Sequence, residues 1–372
     1  MNKPLKEWEG RIAPLISFDN WLYLFTFLCP VFFLQPWEYN MAQRIFFVFG
    51  VFTLLIVSFF SQKKLEYNNK YLGCLMFLSL LSVFMHSYKA SFSGSYIAQW
   101  ANFALLSEGF IYILCGCLLY RLIIEYKNKF NIAYPILAIN SINFIFCLLQ
   151  LCGVYLIWKN NGTIYGVLGH QSQMAVFSAL SIPILASVNL FSCILPFVTL
   201  LLSKSYTALF AFIIASAYYL YKKDDQKIKV RFLVWTIIWL PFIILKFNFI
   251  TSKLHTRVYG IVYTIGEIIQ RPFGWGFDNS LRMNMISSPI GMIYRHNDFL
   301  NLARDLGIPF LIIGLLFLWN SLRKTNMDFI LVSLLIIIIS CMFQTNFYYP
   351  RVAAFGIILL ALKVRNVLSS TG

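Results

Sequence analysis

Long apolar runs alternate with short polar segments along most of the chain. Each run is close to the length of about 17–25 residues that an α-helix needs to cross a membrane. The short alternating strands of a transmembrane barrel are not evident in the pattern. We therefore predict an all-α polytopic membrane protein that forms a single domain over residues 1–372. It has about twelve spans, near residues 21–35, 43–60, 71–86, 103–123, 132–157, 166–187, 189–203, 205–221, 232–248, 306–321, 329–345 and 350–364.

The pattern changes between about residues 248 and 305, where polar residues are frequent and we predict one large external loop. Residues 254–271 have the periodicity of an amphipathic helix. Such a helix would lie flat in the membrane interface, with its apolar side toward the lipid. The apolar side comprises Leu254, Val258, Ile261, Val262, Ile265, Ile268 and Ile269, and the opposite side comprises Arg257, Gly260, Thr264, Glu267 and Arg271.

The end of this loop predicts another helix, which starts at Asn297 and continues into the next span. We expect the apolar residues of its first turns to be buried, namely Phe299, Leu302, Ala303 and Leu306. The polar residues at i, i+4 and i+7 line the other side of the helix. These are Asn297, Asn301 and Arg304.

Composition excludes a soluble globular domain. The chain is 59% hydrophobic and 12% charged, and such a chain cannot cover its surface with polar groups. The net charge of +16 is typical of nucleic-acid binding in a soluble protein, but here Lys and Arg gather in alternate polar segments, as the positive-inside rule requires. We therefore expect the lipid bilayer and no nucleic acid as partner, and both termini on the cytoplasmic side.

The external loop contains a histidine suited to proton transfer. An unperturbed histidine has a pKa of about 6.5, close to the pH at which a general base works. Arg295, Asp298 and Arg304 lie near His296 in the sequence, which favours a functional residue over a solvated loop histidine. We predict that His296 is the catalytic base, and that Asn297, Asp298 and Arg304 bind substrate.

The loop also concentrates arginines, whose planar fork of donors matches phosphate oxygens. A diphosphate leaving group at the membrane surface needs such partners. We favour this role for Arg257 and Arg295. Attraction to anionic lipid headgroups is the alternative, and we prefer it for Lys246, Lys253 and Arg282.

A third group of polar residues enters a predicted span at its external edge, where polar side chains are costly and usually functional. His170 and Gln173 are the candidates for substrate binding, and Lys204 falls between two spans on the same side. Hydrogen bonding between helices is an equally open explanation for the group. The eight cysteines have no ligand spacing, so we predict neither a metal site nor a cofactor.

Three blocks of residues resemble the membrane domain shared by bacterial O-antigen ligases and O-antigen polymerases. The first block is Gly-Val-Leu-Gly-His-Gln-Ser-Gln at residues 166–173. The second is Arg257 followed by Pro-Phe-Gly-Trp-Gly at residues 272–276. The third is Arg-His-Asn-Asp-Phe-Leu at residues 295–300, with Gly307 after it. The resemblance covers about residues 165–310.

The resemblance implies a glycosyltransferase that moves a saccharide from a polyprenyl diphosphate to a lipid-anchored or growing glycan acceptor. It implies that His296 activates the acceptor hydroxyl and that Arg257, with Arg295, holds the diphosphate. We expect an inverting, metal-independent reaction in the inner membrane of a bacterium. The chain departs from the family at Lys204 and Ser205, where the family commonly has Ser-Arg-Gly.

Two further functions stay open at this stage. A repeat-unit polymerase for O antigen or capsule differs from a ligase only in its acceptor, which no residue reveals. A polysaccharide transporter belongs to a different class, but transporters favour ionisable groups near the bilayer midplane, often in two similar halves. This chain concentrates its charge in one external loop and shows no repeat, which favours chemistry at the membrane surface.

Overall fold

The computed structural model describes most of the chain, with gaps in the N-terminal segment and in several connections. The described ranges are residues 17–31, 40–60, 69–90, 96–126, 130–156, 164–222, 247–276, 285–288, 291–294, 297–323, 325–326, 328–344 and 350–371.

These residues form thirteen α-helices, one 3-10 helix and one β-hairpin. The hairpin strands β1 (Met285–Ser288) and β2 (Gly291–Tyr294) pair antiparallel, with Met285 opposite Tyr294. An all-α chain is therefore confirmed for the described residues, except for this hairpin. The helices are α1 (Phe18–Val31), α2 (Asn40–Phe60), α3 (Lys70–Ala90), α4 (Tyr96–Glu125), α5 (Ala133–Leu151), α6 (Gln171–Ala186), the 3-10 helix Leu190–Cys193, α7 (Ile194–Leu202), α8 (Tyr206–Lys222), α9 (Phe247–Gln270), α10 (Asp298–Leu306), α11 (Ile308–Leu322), α12 (Phe329–Cys341) and α13 (Pro350–Thr371).

Eleven of the twelve predicted spans coincide with helices, and the twelfth, 232–248, lies almost entirely outside the described residues. The amphipathic helix is also present, as α9. Two predicted spans begin differently: α6 starts only at Gln171, after a turn, and the segment 189–203 opens with the 3-10 helix. The predicted continuation of α10 into the next span is wrong, because Gly307 has φ +93° and separates α10 from α11.

Helix α13 packs against several other helices, namely α1, α2, α4, α6, α11 and α12. The ring of Phe355 meets that of Phe177 on α6 with centroids 5.0 Å apart. On α4, a Cβ added to Gly116 would lie 3.2 Å from Ile357 Cδ1. These close contacts make α13 the centre of the bundle.

The contacts also fix the direction of the central helices. Arg351 precedes Phe355 on α13 and donates to Leu168 O, which precedes Phe177, so α6 and α13 run parallel. Helix α12 is antiparallel to α13, because its first turn meets the far end of that helix: Lys363 Nζ lies 2.6 Å from Asp328 Oδ2. The starts of α6 and α13 and the end of α12 therefore share one end of the bundle, here called the first end.

Large apolar side chains cover much of the outer surface of the described helices. Phe49 is 70% exposed, Phe59 80% and Trp319 67%. Along α9, Val262 and Ile269 are exposed, whereas Thr264 and Ile268 are buried. Most described residues of the predicted apolar side of α9 therefore face outward, except Ile268. On the opposite side, Gly260 and Thr264 are buried, whereas Arg271 at the end is exposed.

One helix among the described residues, α5, is long and apolar enough to cross a membrane by length and composition. Six shorter apolar stretches of 10–17 residues accompany it: Arg44–Phe59, Lys70–Met85, Gln171–Ala186, Leu190–Leu202, Ile308–Leu322 and Phe329–Cys341.

Candidate functional site

A buried turn precedes α6, and side-chain amides of α5 bind its backbone. Gln150 Oε1 accepts from Tyr165 N at 2.8 Å and from Gly166 N at 2.9 Å. Asn143 Oδ1 accepts from Val167 N at 2.9 Å. A Cβ at Gly166 would lie 2.0 Å from that oxygen, and Gly166 has φ +57°. The glycine is therefore required by this close approach, and the turn stays irregular because side chains satisfy its backbone.

His170 follows this turn as the N-cap of α6. Its Nδ1 accepts a hydrogen bond from Ser172 N at 3.2 Å, so that nitrogen carries no proton. An imidazole that accepts a hydrogen bond at one nitrogen is in its neutral form.

Two further segments approach His170 at the first end of the bundle. Gln171 Nε2 donates to Ser203 O, and Gln344 Nε2 donates to Ser205 Oγ at 3.3 Å. Between these serines, Lys204 is exposed and has φ +52°. The turn between α7 and α8 and the end of α12 thus meet the start of α6.

The third sequence block reaches the same end through Asn297. Its Oδ1 accepts from Leu300 N at 3.0 Å and caps α10, and its Nδ2 donates to Met342 O at 3.0 Å. Met342 lies two residues before Gln344, which contacts Ser205. Asp298, the first residue of α10, is fully buried.

These segments form a polar layer across the first end of the bundle. It contains side chains from α6 and its N-cap, from the segment after α12, from α13, from the turn before α8 and from the N-cap of α10. Two of its amide oxygens, Gln173 Oε1 and Gln344 Oε1, are buried and have no hydrogen-bond partner among the described residues. The polar layer comprises His170, Gln171, Gln173, Ser203, Ser205, Asn297, Gln344 and Arg351.

Two buried arginines at this end were not predicted from the sequence. Arg351 is 2% exposed and belongs to the polar layer, and Arg44 on α2 is 1% exposed. The guanidinium of Arg44 lies 5.7 Å from the centroid of the Tyr112 ring. The sequence did hold a signal for Arg44, because a lone arginine within an apolar run is costly and usually functional.

Arg304, which the sequence predicts to bind substrate, joins two carboxylates. Its Nε lies 3.0 Å from Glu267 Oε2, its Nη1 lies 2.9 Å from Asp305 Oδ1, and its side chain is 1% exposed. Trp275 packs beside it and donates from Nε1 to Glu267 O at 3.1 Å. The geometry supports a structural role for Arg304.

The Pro-Phe-Gly-Trp-Gly block and the end of α10 close around this ion pair. Trp275 N donates to Arg304 O at 2.8 Å, and Ile308 N donates to Pro272 O at 2.8 Å. A Cβ at Gly274 would lie 2.5 Å from Asp305 O, so the two backbones touch where the glycine stands. We call this unit the clasp; it comprises Glu267, Arg271–Gly276 and Arg304–Gly307.

The burial of α10 agrees only in part with the prediction. Asn301 and Arg304 are each 1% exposed, whereas Phe299 and Leu302 are only half-buried. Ala303 and Leu306 are buried, as predicted. The polar side of this helix faces the protein interior, which is the arrangement expected where the surroundings are apolar.

The remaining predicted site residues have no described side chains. His296 and Arg295 lie outside the described residues, and Arg257 lies on α9 without a described side chain. The structure brings His170, Gln173 and Asn297 into one region, with Lys204 and Asp298 beside it. Among the described residues, no group of three or more His, Cys, Asp or Glu side chains is placed to hold a metal ion.

Comparisons with known protein families and curated proteins found no match. No protein-family model matches the chain, and no curated protein matches it in sequence. The resemblance to the O-antigen ligases and polymerases therefore depends on the three motif blocks and on where the structure places their described residues.

Proposed function

We propose that this protein is a membrane glycosyltransferase of the O-antigen ligase type. It transfers a saccharide from a polyprenyl diphosphate to a glycan or lipid acceptor at the outer face of a bacterial inner membrane. One observation supports the proposal: segments of the first and third motif blocks, distant in sequence, lie at the same end of the bundle. Gln171 of the first block contacts Ser203 O, Gln344 contacts Ser205, and Asn297 of the third block contacts Met342 O, two residues before Gln344.

The distribution of polar and apolar surface supports a membrane location. Polar side chains are buried at the first end, while large apolar side chains such as Phe49 and Trp319 are exposed on the sides of the helices. Exposed apolar surface of this extent marks contact with lipid or another apolar partner. The outward apolar side of α9 suits the membrane interface next to the site.

The mechanism assigns the proton transfer to His296, which directly precedes Asn297 in the chain. Its neutral imidazole takes the proton of the acceptor hydroxyl while that oxygen bonds to the anomeric carbon. The bond from the anomeric carbon to the diphosphate oxygen breaks, and the diphosphate leaves with the electron pair, held by arginine. A single displacement inverts the anomeric configuration.

The test is a transfer assay in reconstituted membranes with a lipid-linked saccharide donor. His296→Ala should lower the rate of transfer by about 10²–10⁴ and still bind the donor, with His86→Ala and His255→Ala as controls that keep most activity. The product of the wild-type protein should have the inverted configuration. A rate for His296→Ala within a few-fold of wild type, or a product with retained configuration, contradicts the mechanism.

A further inference from the structure

An apolar slot runs through the described helices. Its volume is about 210 Å³, and its walls come from α3, α4, α10, α11, α12 and α13. Almost all of the lining is apolar, so water gains few hydrogen bonds by filling it. An apolar cavity of about 150 Å³ is large enough to stay dry and bind benzene. The slot therefore has room for an apolar group larger than benzene.

The slot is long and lies along the helix axes. Its lining residues run from Tyr112 to Tyr120 in α4, from Leu334 to Cys341 in α12 and from Val352 to Leu360 in α13. Because an α-helix rises about 1.5 Å per residue, these stretches are about 10–12 Å long.

The three helices are aligned with one another. Helix α12 is antiparallel to α13. Helix α4 is parallel to α13, because Gly116 faces Ile357 and, further along both helices, Arg365 Nη1 donates to Tyr126 O at 3.2 Å. The three lining stretches therefore flank one narrow space. Spread over a length of about 12 Å, the volume of about 210 Å³ leaves a cross-section of about 18 Å², which suits one extended hydrocarbon chain.

The slot reaches the central helix of the bundle. From Arg351 to Lys363 of α13, only Gly356 and Ile357 are half-buried, and all the other residues are buried. Both half-buried residues line the slot, so the slot gives access to a helix that is otherwise enclosed. Leu315 of α11 lines the slot and is also 45% exposed. The slot therefore meets the apolar outer surface of the bundle beside α11.

Gly314, next to Leu315, also lines the slot, and an added Cβ there would meet no atom within 4 Å. Packing against the described residues does not require a glycine at this position, although glycine destabilises the middle of a helix. The space in front of Gly314 is left open, and atoms that line an empty space lose dispersion contacts. An occupant from outside the chain restores these contacts.

We propose that one unbranched acyl chain of a membrane phospholipid occupies the slot. Lipid tails are as apolar as leucine, so the chain leaves the bilayer without a loss of apolar surroundings and gains close contacts with the walls. The narrow cross-section favours an unbranched chain over a prenyl chain, whose methyl branches make it wider. The inference rests on the proposed membrane location and is independent of saccharide transfer.

The test uses the full-length protein, exchanged in detergent to remove bound lipid and reconstituted into phosphatidylcholine vesicles. The vesicles contain a phosphatidylcholine with a photoactivatable diazirine in its palmitoyl chain, and peptide mass spectrometry locates the adducts after irradiation. Bulk lipid should label Phe49 and Phe59, which are 70% and 80% exposed. Ile357 should be labelled through the slot. A wild-type protein without an adduct at Ile357 overturns the proposal, and one without adducts at Phe49 and Phe59 overturns the membrane location on which it rests.

Gly314→Phe places a ring in the slot, so the ratio of adducts at Ile357 to adducts at Phe49 should fall by about tenfold or more. Gly314→Ala adds only one methyl group and should keep most of the labelling, which separates filling of the slot from loss of the glycine. Gly73→Phe is the matched control, because Gly73 is helical and exposed and an added Cβ there also meets no atom within 4 Å. Its ratio should equal that of wild type. If Gly314→Phe does not fold by circular dichroism, Gly314→Leu replaces it, and a wild-type ratio in the folded variant contradicts the assignment.

The source of the chain is tested with a photoactivatable geranylgeranyl phosphate at the same mole fraction. Relative to Phe49, it should label Ile357 about tenfold less than the palmitoyl probe does, because its branches overfill the slot. Equal or stronger labelling would assign the slot to a prenyl chain and overturn the proposal. Saccharide transfer is measured separately: labelling of Ile357 without transfer leaves the slot standing and refutes the proposed function, whereas transfer without labelling refutes the slot alone.

Discussion

The clasp and the polar layer both bury polar side chains, but they use them differently. In the clasp, Arg304 bonds to Glu267 and Asp305 at 3.0 and 2.9 Å, and the surrounding backbone groups pair with one another. In the polar layer, the amide oxygens of Gln173 and Gln344 have no partner among the described residues. A buried polar group without a partner destabilises a fold, and under the proposed function the substrate supplies the partner of these two oxygens.

Two buried glutamines, Gln150 and Gln173, also differ in whether their amide oxygens have hydrogen-bond partners. Gln150 is 4% exposed and Gln173 is 3% exposed. Gln150 Oε1 accepts two backbone N–H groups of the turn before α6, whereas Gln173 Oε1 accepts none from the described residues. Burial alone therefore does not identify a functional polar residue, and the difference in partners supplies a direct test.

The largest effect on stability is expected from a substitution that breaks the ion pairs of the clasp. Arg304→Met leaves the carboxylates of Glu267 and Asp305 close together without their shared cation, so the free energy of unfolding should fall by about 3–5 kcal/mol. Chemical unfolding in detergent micelles measures this change. Arg271→Met is the control, because Arg271 is exposed and its guanidinium lies 3.8 Å from the centroid of the Trp275 ring, and it should lose about 1 kcal/mol or less. Equal losses would mean that the ion pair does not hold the clasp together.

A smaller effect is expected where the two backbone segments of the clasp touch. Gly307 has φ +93°, and an added Cβ would lie 2.8 Å from the carbonyl carbon of Phe273. Gly307→Ala should therefore destabilise the protein by about 1–3 kcal/mol, toward the upper end because the clash adds to the backbone strain. Gly266→Ala, in α9 with no atom near the added Cβ, should instead stabilise it by about 0.5–1 kcal/mol. A tolerant Gly307 would contradict the close approach of the two backbones.

The third effect concerns Gln150, whose amide oxygen accepts two backbone hydrogen bonds. Gln150→Leu removes the acceptor of Tyr165 N and Gly166 N, and the free energy of unfolding should fall by about 1–3 kcal/mol. Ser141→Ala on the same helix removes one hydroxyl that bonds only locally, to Leu137 O at 2.9 Å, and should change stability little. If Gln150→Leu is as stable as Ser141→Ala, the turn before α6 does not depend on this amide.

Much of the helix layout could be predicted because apolar runs and capping residues are local signals. The start of α10 is where the sequence places it, next to Asn297. The amphipathic α9 follows from its period. These predictions required no knowledge of which helices pack together.

The rest depends on contacts between distant segments. The clasp role of Arg304 needs Glu267, which lies 37 residues away, so the same residue was predicted to bind substrate. The break at Gly307 arises from the backbone of Phe273. Arg351 stands at the start of an apolar run and was not singled out from the sequence, and only the packing of α13 against the turn before α6 places it at the site.

The most direct test of the account compares Gln173→Leu with Gln150→Leu in two measurements, the midpoint of thermal unfolding and the rate of saccharide transfer. Replacing an amide whose oxygen has no partner among the described residues should leave the unfolding midpoint of Gln173→Leu unchanged or higher, while transfer falls by about tenfold because the substrate loses a contact. An unfolding midpoint that falls as far as that of Gln150→Leu, with transfer at the wild-type rate, would show that the polar layer serves folding and not the substrate.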